Sequence, residues 1–242
     1  MNETIQVLMN RKSVRVFEDK EISPEIKDII LAAAMRAPTG GNCMPYSIID
    51  VTDQSIKDKL AETCDHQPFI AQAKMVLIFC ADYHRWYRKF KMAGCEDIPA
   101  PELSNMVLAT EDAVIAAHTA CIAAESLGIG SCYIGDIVEN FEIHKELLNL
   151  PPQVAPLCML VFGYPTQQQK ERKQTTRFAK SSIVFENRYR ELSEEELLEM
   201  MPNDRICFRF CAGNGAFHKR DLQKLEFQGI SHAAYRLSSF CL

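Results

Sequence analysis

Arg11-Lys12-Ser13-Val14-Arg15, followed some two dozen residues later by Ala37-Pro38-Thr39-Gly40-Gly41-Asn42, is the stretch from which the rest of the chain is read. Three cations and a hydroxyl within five residues, then a small-residue loop with a single amide, suit a site for a phosphorylated planar cofactor. Charges at i and i+4 share a helix face, and arginine presents a rigid fork of donors that matches phosphate oxygens. Read as helix, the pentapeptide therefore predicts that Arg11 and Arg15 point the same way. A short basic run is also a common solvated helix face, so the wider chain has to decide between the two.

The 242 residues, 47% hydrophobic and 24% charged, can bury a substantial core. Apolar runs such as Met75 to Ala81 are strand-sized, no stretch reads as a membrane span, and Met1-Asn2-Glu3-Thr4 lacks the basic and apolar regions of a signal peptide. The expectation is a cytoplasmic protein with no membrane partner. A formal net charge of −5 argues against a broad nucleic-acid surface while leaving room for a local cationic pocket. The ten cysteines are scattered, with no CxxC pair and no Cys/His metal spacing. They read as reduced thiols, several of them buried in apolar segments such as Leu157-Cys158-Met159-Leu160, and no metal site is expected.

Ser23-Pro24-Glu25 is a helix start: serine caps, proline fits the first helical position, and the carboxylate favours the positive end of the dipole. Ile26, Ile29, Ile30 and Ala33 then form one apolar stripe, and the helix should stop by Pro38. In the loop that follows, residues 38 to 42, two glycines allow close backbone approach to a ligand and Asn42 offers both donor and acceptor; an ordinary helix-to-strand turn has the same composition. Ser47 to Val51 and Met75 to Ala81 read as strands with a helix from about Ser55 to Cys64 between them, an alternation that suggests α/β layers. Tyr83 to Met92 is rich in aromatics and cations and leads into a Pro-containing surface segment, Gly94 to Pro101.

Met106 to Leu127 is the longest helical signal, its recurring alanines suited to close packing against a sheet or a second subunit and Gly128 supplying the stop. His118 within it reads as a core or interface histidine rather than a catalytic group. Gly130 to Asp136 runs from strand into loop, Phe141 to Leu148 reads as a helix, and Pro156 to Phe162 as a strand. The glycine-bounded ends of both strands could offer backbone amides to a ring. Arg172, Lys173, Arg177 and Lys180 form a second basic cluster, and Ile183 to Asn187 is a short extended segment in need of a sheet edge, for which the sheet of a second subunit is available. Ser193 with Glu196 forms a capping box.

These pieces, taken in order, resemble the nitroreductase family of FMN enzymes, nearest its NADPH-preferring, oxygen-insensitive nitroreductase and flavin reductase branch. The pieces are Arg11 to Arg15, Ala37 to Asn42, His66-Gln67-Pro68-Phe69, Ala123 to Gly130, Tyr133-Ile134-Gly135, Phe162-Gly163-Tyr164-Pro165 and Ile183 to Asn187. The resemblance runs over about residues 5 to 201, giving one domain at 1–201 and a divergent tail at 202–242. It implies an α+β fold in place of α/β layers: a central, mainly antiparallel sheet surrounded by helices, in an intertwined homodimer with C-terminal strand exchange and FMN in interface clefts.

Carried over by position, the resemblance implies that Arg11 and Ser13 help bind the FMN phosphate with Lys12 beside them, and that Arg15 contacts the pyrimidine edge of the flavin. Thr39 and Asn42 would approach from the partner subunit, with Pro38 in the same loop. Gln67 would bond the flavin edge, Ile134 and Gly135 would present backbone near N5 with Tyr133 adjacent, and Arg177 would close on the phosphate. The branch carries a lysine two residues before that arginine, where this chain has Thr175, which leaves Lys173 or Arg172 as substitutes. The tail, with Cys207 and Cys211, does not match the branch's helical arm.

The implied activity is ping-pong hydride transfer from NADPH or NADH through FMN to nitroaromatic, quinone or flavin acceptors. No side-chain acid or base is required, and Arg15 would support the reduced flavin. The alternatives are a family reductase acting on enones or halogenated aromatics, and a flavin-binding regulatory or storage protein without turnover.

Overall fold

Among the described residues, all pairings between the strands of the sheet are antiparallel, and that settles the fold class. In the computed structural model, which describes residues 1–200, β1 (Tyr46–Asp50), β2 (Met75–Asp82), β3 (Gly130–Ile134) and β4 (Val154–Gly163) form one sheet in the order β1-β2-β4-β3. Ile48 lies opposite Phe79, Leu77 opposite Leu160, and Cys132 opposite Val161. The α/β layering first suggested by the helix–strand alternation is therefore corrected to α+β. Alternation along β2 and β4 feeds two cores. Leu77, Phe79, Leu160 and Phe162 join one, while Val76, Ile78, Met159 and Val161 join the other.

The first core lies under α2 (Pro24–Met35) and α6 (Leu103–Ser126). Ser23 caps α2 by accepting from the Ile26 amide, with Pro24 at the first position, as the sequence requires. The buried stripe of α2 is Ile30 and Ala34, whereas Ile29 is 53% exposed, so the expected stripe is rotated by about one residue. In α6, Ala109, Ala113, Ala116, Ala117, Ala120 and Ala124 are all buried, which lets the helix lie close over the sheet. Gly128, at φ 74°, ends it, and the Ile129 amide turns back to the Ala124 carbonyl at 2.9 Å. By length and composition α6 is apolar enough to cross a membrane, contrary to the sequence reading; here its alanine face is buried against the sheet. His118 on the same helix is exposed, so within this chain it is not a core residue.

The second core is closed by α3 (Gln54–Thr63), α4 (Pro68–Gln72) and α7 (Phe141–Leu147). Among the described residues the remaining α-helices are α1 (Glu3–Asn10), α5 (His84–Met92), α8 (Gln167–Glu171) and α9 (Glu194–Met200). Met1–Lys173 forms one compact unit, and the described residues from Gln174 belong to another. In that second unit the capping box at α9 is present: Ser193 Oγ accepts from the Glu196 amide at 3.3 Å, and Glu196 accepts from the Ser193 amide at 2.9 Å. Residues 183 to 187 contain no strand, and Ile183 and Val184 are exposed. Cys64, Cys80, Cys121, Cys132 and Cys158 are buried thiols. Cys207, Cys211 and the rest of the tail lie outside the described residues.

His144 on α7 is fully buried, with Nδ1 2.7 Å from the Ile137 carbonyl and Nε2 2.8 Å from Thr63 Oγ1. A carbonyl only accepts, so Nδ1 carries a proton, while the single Thr63 hydroxyl proton is shared between Nε2 and the Lys59 carbonyl, which also lies 2.8 Å from Oγ1. Burial holds the ring's pKa below its usual 6.5. The unfolded chain therefore binds the extra proton more readily, and this contribution to stability, complete above pH 6.5, is lost as pH falls towards the folded pKa. Denaturant unfolding between pH 7.5 and 5.5 should show stability falling with pH, and His144→Gln should flatten that slope. An unchanged slope would contradict the assignment.

Candidate active site

The helix expected to carry the basic pentapeptide stops just before it. Arg11 is the C-cap of α1, at φ −54° and ψ 134°, and residues 11 to 15 run extended along the edge of the sheet. Ser13 bridges Ser131 of β3 in parallel, and the Val14 amide donates to the Ser131 carbonyl at 2.8 Å. The predicted common direction of Arg11 and Arg15 survives for a different reason. Side chains alternate along extended backbone, so Arg11, Ser13 and Arg15 share one side while Val14, 3% exposed, is driven into the core on the other.

Close approach at this bridge depends on Gly130: a Cβ there would lie 2.5 Å from Val14 Cγ2. Electrostatics agree with the placement. Burial pushes the Cys132 thiol up, and Arg15, Ser13 and Arg11 pull it back; burial likewise raises Cys121, against which Ser131 and Arg11 act. Glu125 on α6 is raised by burial and drawn down by Arg11 and Lys12.

Residues of α8 and its C-terminal turn clamp the pentapeptide from outside. Lys12 Nζ donates to the Lys170 and Arg172 carbonyls at 2.6 and 2.7 Å, so this lysine fastens the segment. Gln169, 7% exposed, accepts from the Arg15 amide at 3.4 Å, and the Arg172 guanidinium donates to the Ser13 carbonyl. Of the two cations that could stand in for the residue missing at Thr175, Arg172 is the one placed on the pentapeptide. Arg177 lies in the second unit, where Nη1 donates to Thr175 Oγ1 at 2.7 Å.

The loop after α2 is pinned by a residue that the sequence reading missed. Asp112, 3% exposed on α6, accepts from Thr39 Oγ1 at 2.5 Å and from the Gly40 amide at 3.1 Å, while the Thr39 hydroxyl accepts from the Met44 amide at 2.8 Å. The signal was available: a carboxylate among the alanines of a buried helix face needs donors from elsewhere. Gly41 and Asn42 both take positive φ, near 57° and 56°, and Asn42 and Pro38 are exposed.

On the other side of β3, Gln67 Nε2 donates to the Cys64 carbonyl at 2.8 Å and to Asp136 Oδ2 at 2.7 Å. Both amide protons are committed, which leaves Oε1 as an acceptor. Tyr133 OH is buried without a partner among the described residues, and burial raises its pKa. Ile134 is 2% exposed, so it has only backbone to offer, and the next residue, Gly135, faces open space. Orphaned tyrosine hydroxyl, uncommitted amide oxygen, open backbone and a one-sided pair of guanidiniums fit a planar phosphorylated group.

Comparison with known proteins agrees. The nitroreductase family model matches residues 8–164. An FMN reductase (NADPH) of Bacillus subtilis is 33% identical over 190 residues, 78% of this chain and 75% of that protein. An oxygen-insensitive NADPH nitroreductase of Salmonella typhimurium is 32% identical over 197 residues, 81% and 79% of the two chains. Among solved structures, NfrA2 of B. megaterium superposes with a TM-score of 0.83 at 26% identity, covering 100% of this chain and 98% of that one. The NADPH:FMN oxidoreductase of Vibrio harveyi complexed with NAD+ gives 0.81 at 27% identity, covering 100% and 99%.

Because Asp112 and Thr39 share one partly buried hydrogen bond, their substitutions should not add. A double-mutant cycle of Thr39→Val and Asp112→Asn, read by denaturant unfolding, should return a coupling of about 0.5–3 kcal/mol. Simple additivity, within about 0.3 kcal/mol, would mean that the loop is held by something else.

Proposed function

This chain belongs to the nitroreductase family, and we propose that it is an FMN-dependent NAD(P)H oxidoreductase whose cofactor phosphate is gripped by Arg11 and Ser13. The observation that carries this reading is the shared side of Arg11, Ser13 and Arg15 along the segment seated on β3. When bound, FMN supplies the chemistry, accepting a hydride from the nicotinamide donor and delivering it to an electron-poor acceptor.

The chain's residues orient the ring and set its charge environment. Arg11 and the Ser13 hydroxyl would donate to the phosphate, on a segment fastened by Lys12, Gln169 and Arg172. Arg15 places a permanent positive charge at the pyrimidine edge, where negative charge gathers on reduction. With its amide protons committed to the Cys64 carbonyl and Asp136, Gln67 would offer Oε1 to the edge of the ring, and the Ile134–Gly135 backbone would line the reactive centre. The Arg177 assignment rests on the family resemblance alone. No side chain has to give or take a proton for hydride transfer, so donor and acceptor can use one open face in turn, a ping-pong cycle serving nitroaromatic, quinone or flavin acceptors.

The same reading includes a homodimer. Ile5, Leu8 and Met9 on α1, Ile29 on α2, and Val107, Val114 and Ile115 on α6 leave apolar side chains on neighbouring helices exposed in the single chain. A second protomer laid over them would bring its Thr39–Asn42 loop to the cofactor. In that loop the Thr39 hydroxyl is already engaged with Asp112, so its contribution is one of position. Ile183 and Val184, exposed and outside any strand, suit strand exchange with the partner's sheet.

A charge-assisted hydrogen bond is worth roughly 1.5–3 kcal/mol, which corresponds to roughly 10- to 150-fold in a dissociation constant. Arg11→Gln and Arg15→Gln should each weaken FMN binding on that scale in a flavin fluorescence titration. Under anaerobic conditions the yellow protein should be bleached by NADPH or NADH in stopped flow, and colour should return on adding menadione or a nitroaromatic. Bound FMN that neither donor bleaches would replace the enzyme reading with a flavin store. A folded protein that takes up no FMN would end both.

A further inference from the structure

The flavin-side residues lie along β3, whereas a second cleft opens at β1, three strand spacings away in the sheet order, about 14 Å. Its volume is about 470 Å³, within the range of small-molecule sites. Ile49 of β1, Val154 of β4 and the Leu150-Pro151 turn make an apolar floor. The wall is α5, whose His84, Arg88 and Met92 recur at i, i+4 and i+8 on one face, with Arg85 and Lys89 beside them. This side of β1 is the one turned away from α6: Ile48 packs towards the α6 core, while Ser47 and Ile49 line the cleft.

The cations of this wall are not equivalent. Arg85 is built in: Nη2 donates to the Tyr46 carbonyl at 2.7 Å, to Ser47 Oγ at 2.9 Å and to Asp82 Oδ2 at 3.1 Å, and the Asp82 side chain is 9% exposed. Asp82 therefore neutralises Arg85 and fixes the corner of the cleft. Neither Arg88 nor Lys89 has an ion-pair partner among the described residues, and the Lys89 ammonium lies 5.1 Å from the centre of the Trp86 ring. Two unneutralised cations thus rim an apolar floor on a chain whose formal net charge is −5.

From this we infer a second ligand site, for a small amphipathic organic anion: an aromatic or branched apolar body that covers the Ile49–Leu150–Val154 floor and ends in a carboxylate or sulfonate facing Arg88 and Lys89. A bare inorganic anion leaves the floor wet, and a neutral hydrophobe leaves both cations unpaired. Only a ligand with both parts uses the whole surface. The site is independent of the flavin reading, since none of its lining residues is among those that would hold FMN.

Isothermal titration calorimetry of the full-length, FMN-loaded protein tests this, with 1-naphthoate as probe and 1-naphthalenemethanol and inorganic phosphate as its neutral and apolar-free counterparts. We expect saturable naphthoate binding at least tenfold tighter than either counterpart and weakened by added salt. The Arg88→Gln/Lys89→Gln double variant, changed at exposed positions, should keep its FMN and lose that binding event by at least tenfold. Naphthoate binding that survives the double substitution unchanged, phosphate or the alcohol binding as well as naphthoate, or no saturable heat at all would each overturn the assignment.

Discussion

The seat of Val14 on Gly130 is the contact on which the rest of the site depends. With no side chain at Gly130, the extended segment after α1 comes close enough for the Val14 amide to reach the Ser131 carbonyl. Once Val14 is buried, backbone alternation leaves no choice about its neighbours: Arg11, Ser13 and Arg15 must emerge together on the opposite side. A glycine with no ligand contact of its own therefore decides where two guanidiniums point. The same device recurs at Gly163, where a Cβ would lie 2.6 Å from the Phe17 ring and the Glu18 amide bonds the Tyr164 carbonyl. Residues 11 to 18 are thereby stitched to β3 and to the end of β4.

Much of this was legible in the sequence because it rests on local chemistry. The Ser23-Pro24 start of α2, the alanine face and Gly128 stop of α6, and the Ser193/Glu196 box each follow from neighbouring residues, and all are present. The strand runs were placed within a few residues, but their pairing is non-local, and periodicity does not distinguish a parallel from an antiparallel partner. That is why helix–strand alternation first suggested α/β layers. The pentapeptide is a subtler case. A spacing of four residues returns a side chain to the same side in a helix and, being even, in a strand as well, so the right direction was obtained from the wrong conformation. Ile29 failed in a related way: its apolar setting predicted burial, while the single chain exposes it, and the core alternative for His118 falls for the same reason, leaving the interface one.

What local reasoning could not supply was the second layer of the site. Lys12 reads as a phosphate ligand by type and place, yet its ammonium is drawn to carbonyls some 160 residues along the chain. The Arg172 guanidinium makes the reciprocal contact to the Ser13 carbonyl. Main-chain carbonyls at the end of a short helix carry partial negative charge, and a cation that caps them is also held still by them. The pentapeptide thus divides its cations, with the lysine tying the segment to α8 and the two guanidiniums on the side opposite Val14. Loop 39–42 is divided likewise, its Thr39 hydroxyl and Gly40 amide spent on Asp112 and its exposed Asn42 free to face outward.

Asp112 shows why such a division is worth its energetic cost. Burying a carboxylate is unfavourable unless donors surround it, and a lone aspartate on an alanine-rich helix face would ordinarily be removed by selection for stability. Here its donors belong to a loop whose own sequence, two glycines and an asparagine, has little intrinsic preference for one conformation. The carboxylate selects one by offering acceptors to the Thr39 hydroxyl and the Gly40 amide, and it does so from the longest helix among the described residues. The small residues that let α6 lie close to the sheet thus also set the level of the loop above it. Core packing and loop geometry become one constraint, and a change of helix position is transmitted directly to Thr39 and Gly40.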